Sequence, residues 1–229
     1  MKKLLLPIIV GAALCAAGFA RTWTSADGSN TFEGEFVSAA DGKVTVLRNG
    51  REVTFKEELL SEEDREFIKA ELAAKDEEAA AKKAAEEAKS APVPSALDGK
   101  LMKLDGKSLK AFEPAGVPEY YLVYFSASWC GPCRKSAPGM VEYYNETIAK
   151  NDKVELIWMN RDRDEGAMEG FIKEFGMPWP VVEFKSKDDI KPFMAIKKNF
   201  VPQYALVDRN GDVVAEDLAS AKAKIAELK

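Results

Sequence analysis

The sequence predicts an α/β domain preceded by a small all-β domain and a long helix. Turn dipeptides separate short alternating strands between residues 21 and 56, an Ala/Glu/Lys-rich segment follows, and from about residue 96 apolar strands alternate with helical segments. Strands that alternate with helices favour a central sheet with helices on both faces. The 229 residues suffice for one large domain or two small ones, and a hydrophobic content of 46% excludes wholesale disorder.

The first 20 residues have the pattern of a secretory signal peptide. Two lysines precede an apolar run over residues 4–17, and residues 18–20 carry small side chains at their outer positions. The run is shorter than the roughly 20 residues that a bilayer span needs. We expect cleavage after Ala20, with an uncleaved anchor or a lipoprotein attached through Cys15 as alternatives. The expected location is secreted or periplasmic, in a bacterial cell envelope, with membrane contact only through the signal peptide.

The amino-acid composition excludes several kinds of catalytic and metal-binding site. The chain has no histidine, which excludes a Ser-His-Asp triad, a Cys-His pair and a His-ligated metal site. Its three cysteines are too few for an all-cysteine zinc site, and Cys15 is lost with the signal peptide. A net charge of −5 provides no electrostatic attraction for nucleic acid. We therefore expect the protein to bind neither a metal ion nor nucleic acid. We also expect the mature protein, with its two remaining cysteines, to lie in an oxidising compartment.

Residues 21–60 are predicted to form a small SH3-like β barrel. Three dipeptides that favour tight hairpins punctuate the segment: Asp27-Gly28, Asp41-Gly42 and Asn49-Gly50. Between the last two, Val44 and Val46 alternate with polar residues. This alternation is typical of a strand with one buried face.

Four runs characterise this segment and the start of the next: Arg21-Thr22-Trp23-Thr24, Glu35-Phe36-Val37, Gly42-Lys43-Val44-Thr45-Val46 and Leu60-Ser61-Glu62-Glu63-Asp64. Together they resemble the Sla-type homology domain, which was first named in a yeast endocytic adaptor and recurs in secreted bacterial proteins. In the yeast protein the resemblance implies short-peptide binding, whereas in bacterial proteins it implies little. We therefore interpret the barrel as a spacer or docking module without a fixed ligand, with a peptide ligand as the alternative.

Residues 61–94 are predicted to be a helical linker. Ser61 is a favourable N-cap, and acidic residues fill the first turn. A short apolar stripe is expected to pack on the barrel: Phe67, Ile68 and Leu72. Alanine is the only apolar residue in the rest of the helix, so we interpret it as a solvated spacer. A proline-rich segment then ends the helix and marks the boundary to a domain over residues 95–229.

The strongest chemical signal is the run Trp129-Cys130-Gly131-Pro132-Cys133, between a predicted buried strand and a predicted helix. A Cys-x-x-Cys beside a βαβ pattern indicates a redox motif. Unpaired N–H groups at the helix start stabilise a thiolate on Cys130, and the spacing lets Cys133 displace a mixed disulfide. A static disulfide and a metal site are the alternatives, but so short a loop stabilises little and no further ligands complete a metal site.

This motif and two prolines resemble the thioredoxin family. Pro138 lies where thioredoxins carry a helix-kinking proline, and Val201-Pro202 lies where the family has a cis-proline facing the cysteines. The resemblance implies a thioredoxin fold, a central mixed sheet flanked by helices, over residues 95–229. It also implies a redox-active Cys130–Cys133 disulfide and no other cofactor.

Two further runs, Tyr124-Phe125-Ser126-Ala127-Ser128-Trp129-Cys130 and Met177-Pro178-Trp179, are similar to tryparedoxin and nucleoredoxin. The secreted context is shared with bacterial thioredoxin-like reductases. The resemblance implies a set of substrate-binding residues: Trp129, Gly131, Pro132, Val201, Pro202 and Trp179. Core packing is an equal alternative for Trp179. Two residues depart from the thioredoxin pattern: Tyr124 stands where a buried aspartate is usual, and Gln203 where threonine is usual.

The sequence therefore predicts an extracytoplasmic thiol-disulfide oxidoreductase that reduces protein disulfides. Gly-Pro between the cysteines resembles the reducing end of a range of potentials from about −270 to −120 mV. The expected partners are protein disulfide substrates and an electron-donor thiol protein. Two alternatives remain: a disulfide-forming oxidant, or an adaptor whose N-terminal barrel binds a peptide or an envelope component.

Overall fold

A computed structural model describes residues 20–228. The chain divides into two compact units, the first ending at Ala81 and the second beginning at Lys82. The predicted signal peptide, except for Ala20, lies outside the described residues, as does Cys15. Within the described part of the chain, no helix is both long enough and apolar enough to cross a membrane.

The first unit is built on a four-stranded antiparallel sheet. Its strands are β1 (Arg21–Thr24), β2 (Thr31–Ala40), β3 (Lys43–Arg48) and β4 (Arg51–Lys56), which lie side by side in chain order. Asp41 and Asn49 have φ angles of 51° and 52°, and the glycines that follow them have φ angles of 70° and 74°. Two consecutive residues with positive φ suit a tight hairpin, so these two predicted turns are confirmed.

Trp23 is the centre of the first unit's core. Its side chain is fully buried, and its indole N–H donates a 3.0 Å hydrogen bond to the Gly34 carbonyl. A Cβ atom at Gly34 would lie 3.2 Å from the Leu47 carbonyl oxygen, so the close approach of β2 to β3 favours glycine there. The Phe67 ring packs edge-on against Trp23, and Ile68 belongs to the same buried cluster. The predicted apolar stripe therefore packs on the sheet.

Helix α1 runs from Glu62 to Ser90, and its first turn is tied to strand β1. The buried carboxylate of Asp64 accepts 2.6 Å hydrogen bonds from the Thr24 N–H and from the Arg21 guanidinium. The Ser61 hydroxyl accepts a 3.2 Å hydrogen bond from the Asp64 N–H, which confirms Ser61 as the N-cap. A buried charge is tolerated only when it is paired and hydrogen-bonded, so this cluster fixes where the helix begins.

The second unit contains a seven-stranded mixed sheet. Its strands are β5 (Leu101–Asp105), β6 (Ser108–Ala111), β7 (Tyr120–Ser126), β8 (Val154–Asn160), β9 (Val181–Val182), β10 (Gln203–Asp208) and β11 (Val213–Ala215). Its helices are α2 (Pro92–Leu97), α3 (Gly131–Glu146), α4 (Glu165–Phe175), α5 (Lys191–Ala195) and α6 (Leu218–Glu227). The strand order is β11-β10-β7-β8-β9-β5-β6, with β7, β8 and β9 parallel and the other neighbours antiparallel.

Alternate side chains of β7 enter two different apolar cores. Leu122 and Tyr124 belong to the core that also holds side chains of α3, α4 and α6. Val123 and Phe125 belong to the core that holds side chains of α2 and α5. Both faces of the sheet are therefore covered by helices, which confirms the predicted thioredoxin-type architecture. Strand β7 is central and leads into the loop before α3.

Three local features of the second unit were not predicted from the sequence. The proline-rich segment over residues 91–95 follows the end of α1, as predicted, but α2 begins within it, because Pro92 suits a first helical turn and Val93 is buried in the second unit. The hairpin of β5 and β6 was not predicted, because its residues alternate only in part. Helix α5 begins only at Lys191, because the proline in its first turn disfavours helical backbone before it.

Candidate active site

The two cysteines of the Cys-x-x-Cys run form a disulfide at the start of α3, with their Cα atoms 5.2 Å apart. Cys130 has an extended backbone and caps the helix, and its Sγ accepts a 3.1 Å hydrogen bond from the Cys133 N–H. N–H groups and the positive end of a helix dipole stabilise a sulfur anion. This position therefore favours the thiolate form of a reduced Cys130.

The two sulfur-bearing residues differ in access to solvent. Cys130 is 4% exposed, whereas Cys133 is fully buried one turn into α3. Pro138 lies further along the same helix, as the sequence predicted. Of the two cysteines, only Cys130 therefore keeps any contact with solvent.

Three predicted contact residues, Trp129, Gly131 and Pro132, adjoin the cysteines in the chain, and two more, Val201 and Pro202, come from a distant segment. The Val201 carbonyl oxygen lies 3.6 Å from the Cys130 Sγ, and the Val201–Pro202 peptide bond is cis. Trp129 is 64% exposed. The structure thus brings the end of the loop before β10 against the start of α3, although 71 residues separate Cys130 from Val201 along the chain.

Trp179 lies away from this surface. It is 1% exposed, and its ring packs edge-on against Tyr124 and Tyr144, with centroid distances of 6.3 and 5.8 Å. A buried indole has no surface to offer a substrate, so the structure favours the core-packing alternative for Trp179 over the substrate-binding one.

Tyr124, at the position where thioredoxins have a buried aspartate, is also fully buried. Its ring stacks on Tyr204, the residue directly opposite on β10, with centroids 4.6 Å apart and planes within 4°. Burial raises the pKa of Tyr204 well above its usual range, with the Tyr124 hydroxyl as a further cause. The Tyr204 hydroxyl therefore stays protonated at neutral pH. In the core that also holds the two cysteines, this chain therefore has two stacked tyrosines where thioredoxins have an aspartate.

A buried acidic residue, Asp162, holds the loop that carries Trp129 and Cys130. Its carboxylate is 2% exposed and accepts hydrogen bonds from the Ser128 N–H at 3.0 Å and from the Ser128 hydroxyl at 2.7 Å. Asn160 donates a further 2.7 Å bond to it. Asp162 was not predicted as a site residue. The signal available was a polar triplet directly after the apolar strand β8, since polar residues at strand ends often face a neighbouring loop.

No group of three or more acidic, cysteine or histidine residues suited to hold a metal ion occurs within residues 20–228. The polar groups near the disulfide instead bind one another. Arg134, directly after Cys133, donates to the Ser128 carbonyl at 3.4 Å and pairs with Glu174. The site can therefore perform sulfur chemistry with its own two cysteines.

Part of this chain is similar to a known protein family and to several curated proteins. Residues 118–213 match a family described as Thioredoxin-like. Probable nucleoredoxin 1 of Arabidopsis thaliana is 31% identical over 120 residues, which cover 51% of this chain and 20% of that protein. The thiol-disulfide oxidoreductase ResA of Bacillus cereus is 33% identical over 115 residues, which cover 49% of this chain and 61% of that protein. The chain thus spans less than two thirds of the length of these curated relatives.

Two solved structures are similar to part of this chain. Thioredoxin from Wuchereria bancrofti is 26% identical, with a TM-score of 0.45, over 57% of this chain and 85% of that one. Native tryparedoxin I from Crithidia fasciculata is 24% identical, with a TM-score of 0.46, over 60% of this chain and 92% of that one.

Proposed function

Residues 118–213 match the thioredoxin-like family, and from this match we propose that the protein is an extracytoplasmic thiol-disulfide oxidoreductase that reduces protein disulfides. One observation carries the proposal: the Cys130–Cys133 disulfide lies at the start of α3, where the Cys130 sulfur accepts an N–H hydrogen bond. A slightly exposed cysteine next to a fully buried one suits sequential thiol exchange, in which the outer sulfur reacts first.

The proposed reaction uses both cysteines in turn. In the reduced protein, the Cys130 thiolate attacks one sulfur of a substrate disulfide, and the other substrate sulfur leaves and takes up a proton. Cys133 then loses its proton and attacks the Cys130 sulfur, which releases the second substrate thiol. Two electrons pass to the substrate, and the Cys130–Cys133 disulfide forms. A donor thiol protein reduces this disulfide again and is itself oxidised.

The residues around the disulfide take supporting roles in this proposal. Trp129, Gly131 and Pro132 form the surface next to Cys130, and Val201-Pro202 forms the opposite side. Support comes from the 3.6 Å separation of the Val201 oxygen and the Cys130 sulfur, and from the exposure of Trp129. No cofactor other than the disulfide is part of the proposed reaction.

We further propose that residues 1–20 direct the protein to the bacterial cell envelope and are removed there. The support is the pattern of two lysines, an apolar run and small residues before Arg21. Removal leaves Cys130 and Cys133 as the only cysteines. Since these two pair with each other, the mature chain would carry no unpaired thiol into an oxidising compartment.

For the remaining chain we propose three parts: an SH3-like domain of the Sla-type homology family over residues 21–60, a helical linker over 61–94 and the thioredoxin-like domain over 95–229. Support for the first part comes from the four-stranded antiparallel sheet and its core around Trp23. The proposed role of this part is to bind a peptide that brings the redox domain to its substrates.

Insulin reduction tests the proposed activity. With dithiothreitol as reductant, the mature protein is expected to accelerate precipitation of the insulin B chain, because Cys130 attacks the insulin disulfides faster than dithiothreitol does. Cys130→Ser should reduce the rate to that of dithiothreitol alone, whereas Val214→Ser, a change at an exposed position on β11, should leave it unaltered. A wild-type protein that gives no acceleration would contradict the proposal.

A further inference from the structure

Phe200 is an exposed aromatic residue directly before the segment that contacts Cys130. Its side chain is 58% exposed. It directly precedes Val201, whose carbonyl oxygen is 3.6 Å from the Cys130 sulfur. Only four large apolar residues of the described second unit are comparably exposed: Trp129, Phe200, Val213 and Val214. Two of these four, Trp129 and Phe200, directly precede Cys130 and Val201, the residues that approach each other at the disulfide. Exposed apolar side chains next to a reactive group are candidates for an interaction site.

The segment that carries Phe200 is held in place by Gln203. The Gln203 side chain is buried, and both ends of its amide are used: the oxygen accepts a 2.7 Å bond from the Lys198 N–H, and the nitrogen donates a 2.7 Å bond to the Ile196 carbonyl. The Arg161 guanidinium also donates to the Lys198 carbonyl, at 3.2 Å. Three hydrogen bonds thus fix the backbone that leads to Phe200.

The identity of residue 203 matters for this arrangement. A glutamine amide has a donor and an acceptor on a long side chain, and here it joins two backbone groups two residues apart. A threonine, the residue usual in thioredoxins, has one short hydroxyl and cannot span the same two groups. The fixed segment presents an aromatic ring to solvent without the entropy that a flexible loop would lose on binding.

We infer that Phe200 is a specificity-determining residue: together with Trp129 it receives an apolar side chain adjacent to the disulfide of a polypeptide substrate. Gln203 is a positioning residue that keeps Phe200 in place. The favoured substrate class is therefore a protein whose cystine is flanked by a large apolar residue. A small disulfide carries no such side chain and does not use Phe200. This inference rests on the proposed function, since it concerns substrates of the same reaction.

Two matched disulfide peptides and one small disulfide test the inference. One peptide carries leucine next to cysteine, the other carries serine there, and the small substrate is hydroxyethyl disulfide. Phe200→Ser is expected to reduce kcat/KM about tenfold for the leucine peptide and less than twofold for the other two substrates. Phe200→Leu, which keeps an apolar side chain, should retain most of the preference. The control Val214→Ser, 41% exposed in the wild type, should change none of the three.

The variant Gln203→Thr tests whether Gln203 positions Phe200 or only supports the fold as a whole. It should weaken the preference for the leucine peptide, mainly through a higher KM, while the rate with hydroxyethyl disulfide stays within twofold. A Phe200→Ser protein that keeps the full leucine preference overturns the inference. A wild-type protein that reduces none of the three substrates instead contradicts the proposed function, so the two failures are distinguishable.

Discussion

Cys133→Ser is expected to convert the protein into a trap that holds its substrates as mixed disulfides. The Cys130 thiolate still attacks a substrate disulfide, but no second thiol is left in the mature chain to displace the product. Intramolecular groups held in place act with effective concentrations of about 10⁵ M or more, so the lifetime of the mixed disulfide should rise at least about 10³-fold. Non-reducing gels of envelope extracts should then show discrete adducts that disappear on reduction.

The matched control for the trap is Cys130→Ser. This variant keeps Cys133, but that residue is fully buried, so an external disulfide cannot reach it and no adducts should form. Mass spectrometry of the Cys133→Ser adducts would identify the substrates. Equal adducts from both variants, or none from either, would argue against the two-cysteine mechanism and favour the adaptor alternative.

Trp23→Ala is expected to unfold the first unit while leaving disulfide reduction intact. The Trp23 side chain is fully buried, donates to the Gly34 carbonyl and contacts the Phe67 ring. Removing a buried indole costs about 3–5 kcal/mol, which is a large part of the stability of a small domain. The second unit has its own apolar cores on both faces of its sheet, so its activity should not depend on Trp23.

Two measurements check the prediction for Trp23→Ala. Circular dichroism follows the unfolding of each unit in urea, and the reduction of hydroxyethyl disulfide is measured in parallel. Trp129→Ala is the stability control, since a change at a 64% exposed position should alter the unfolding free energy by less than about 0.5 kcal/mol. Loss of reduction in Trp23→Ala, or a single unfolding transition shared by both units, would count against independently folding domains.

Much of the fold follows from local sequence. Strand β7 is almost wholly apolar, as a strand covered on both faces must be, and the Asn49-Gly50 dipeptide adopts the positive φ angles that its turn needs. The Cys130–Cys133 spacing and the helix start after it likewise follow from adjacent residues. These features could be predicted because each depends on interactions within a few positions of the chain.

The features that were missed depend on distant parts of the chain. Asp162 acts through Ser128, which is 34 residues away, and the polar triplet after β8 does not indicate Ser128 as the partner. Trp179 is buried against aromatic rings of β7 and α3. The residues next to Trp179 in the chain therefore could not show whether its side chain packs in the core or binds substrate. Gln203 was recognised as a departure from the family, but its role appeared only with the backbone groups it joins.

The reduction potential of the Cys130–Cys133 pair tests the central claim most directly. The pair would be equilibrated in dithiothreitol or glutathione buffers of known potential, and the reduced fraction counted by thiol labelling. A protein that donates electrons to substrate disulfides should titrate near the thioredoxin end of the known range, at about −270 mV. A midpoint near about −120 mV would contradict a reductase and identify the protein as an oxidant that forms disulfides.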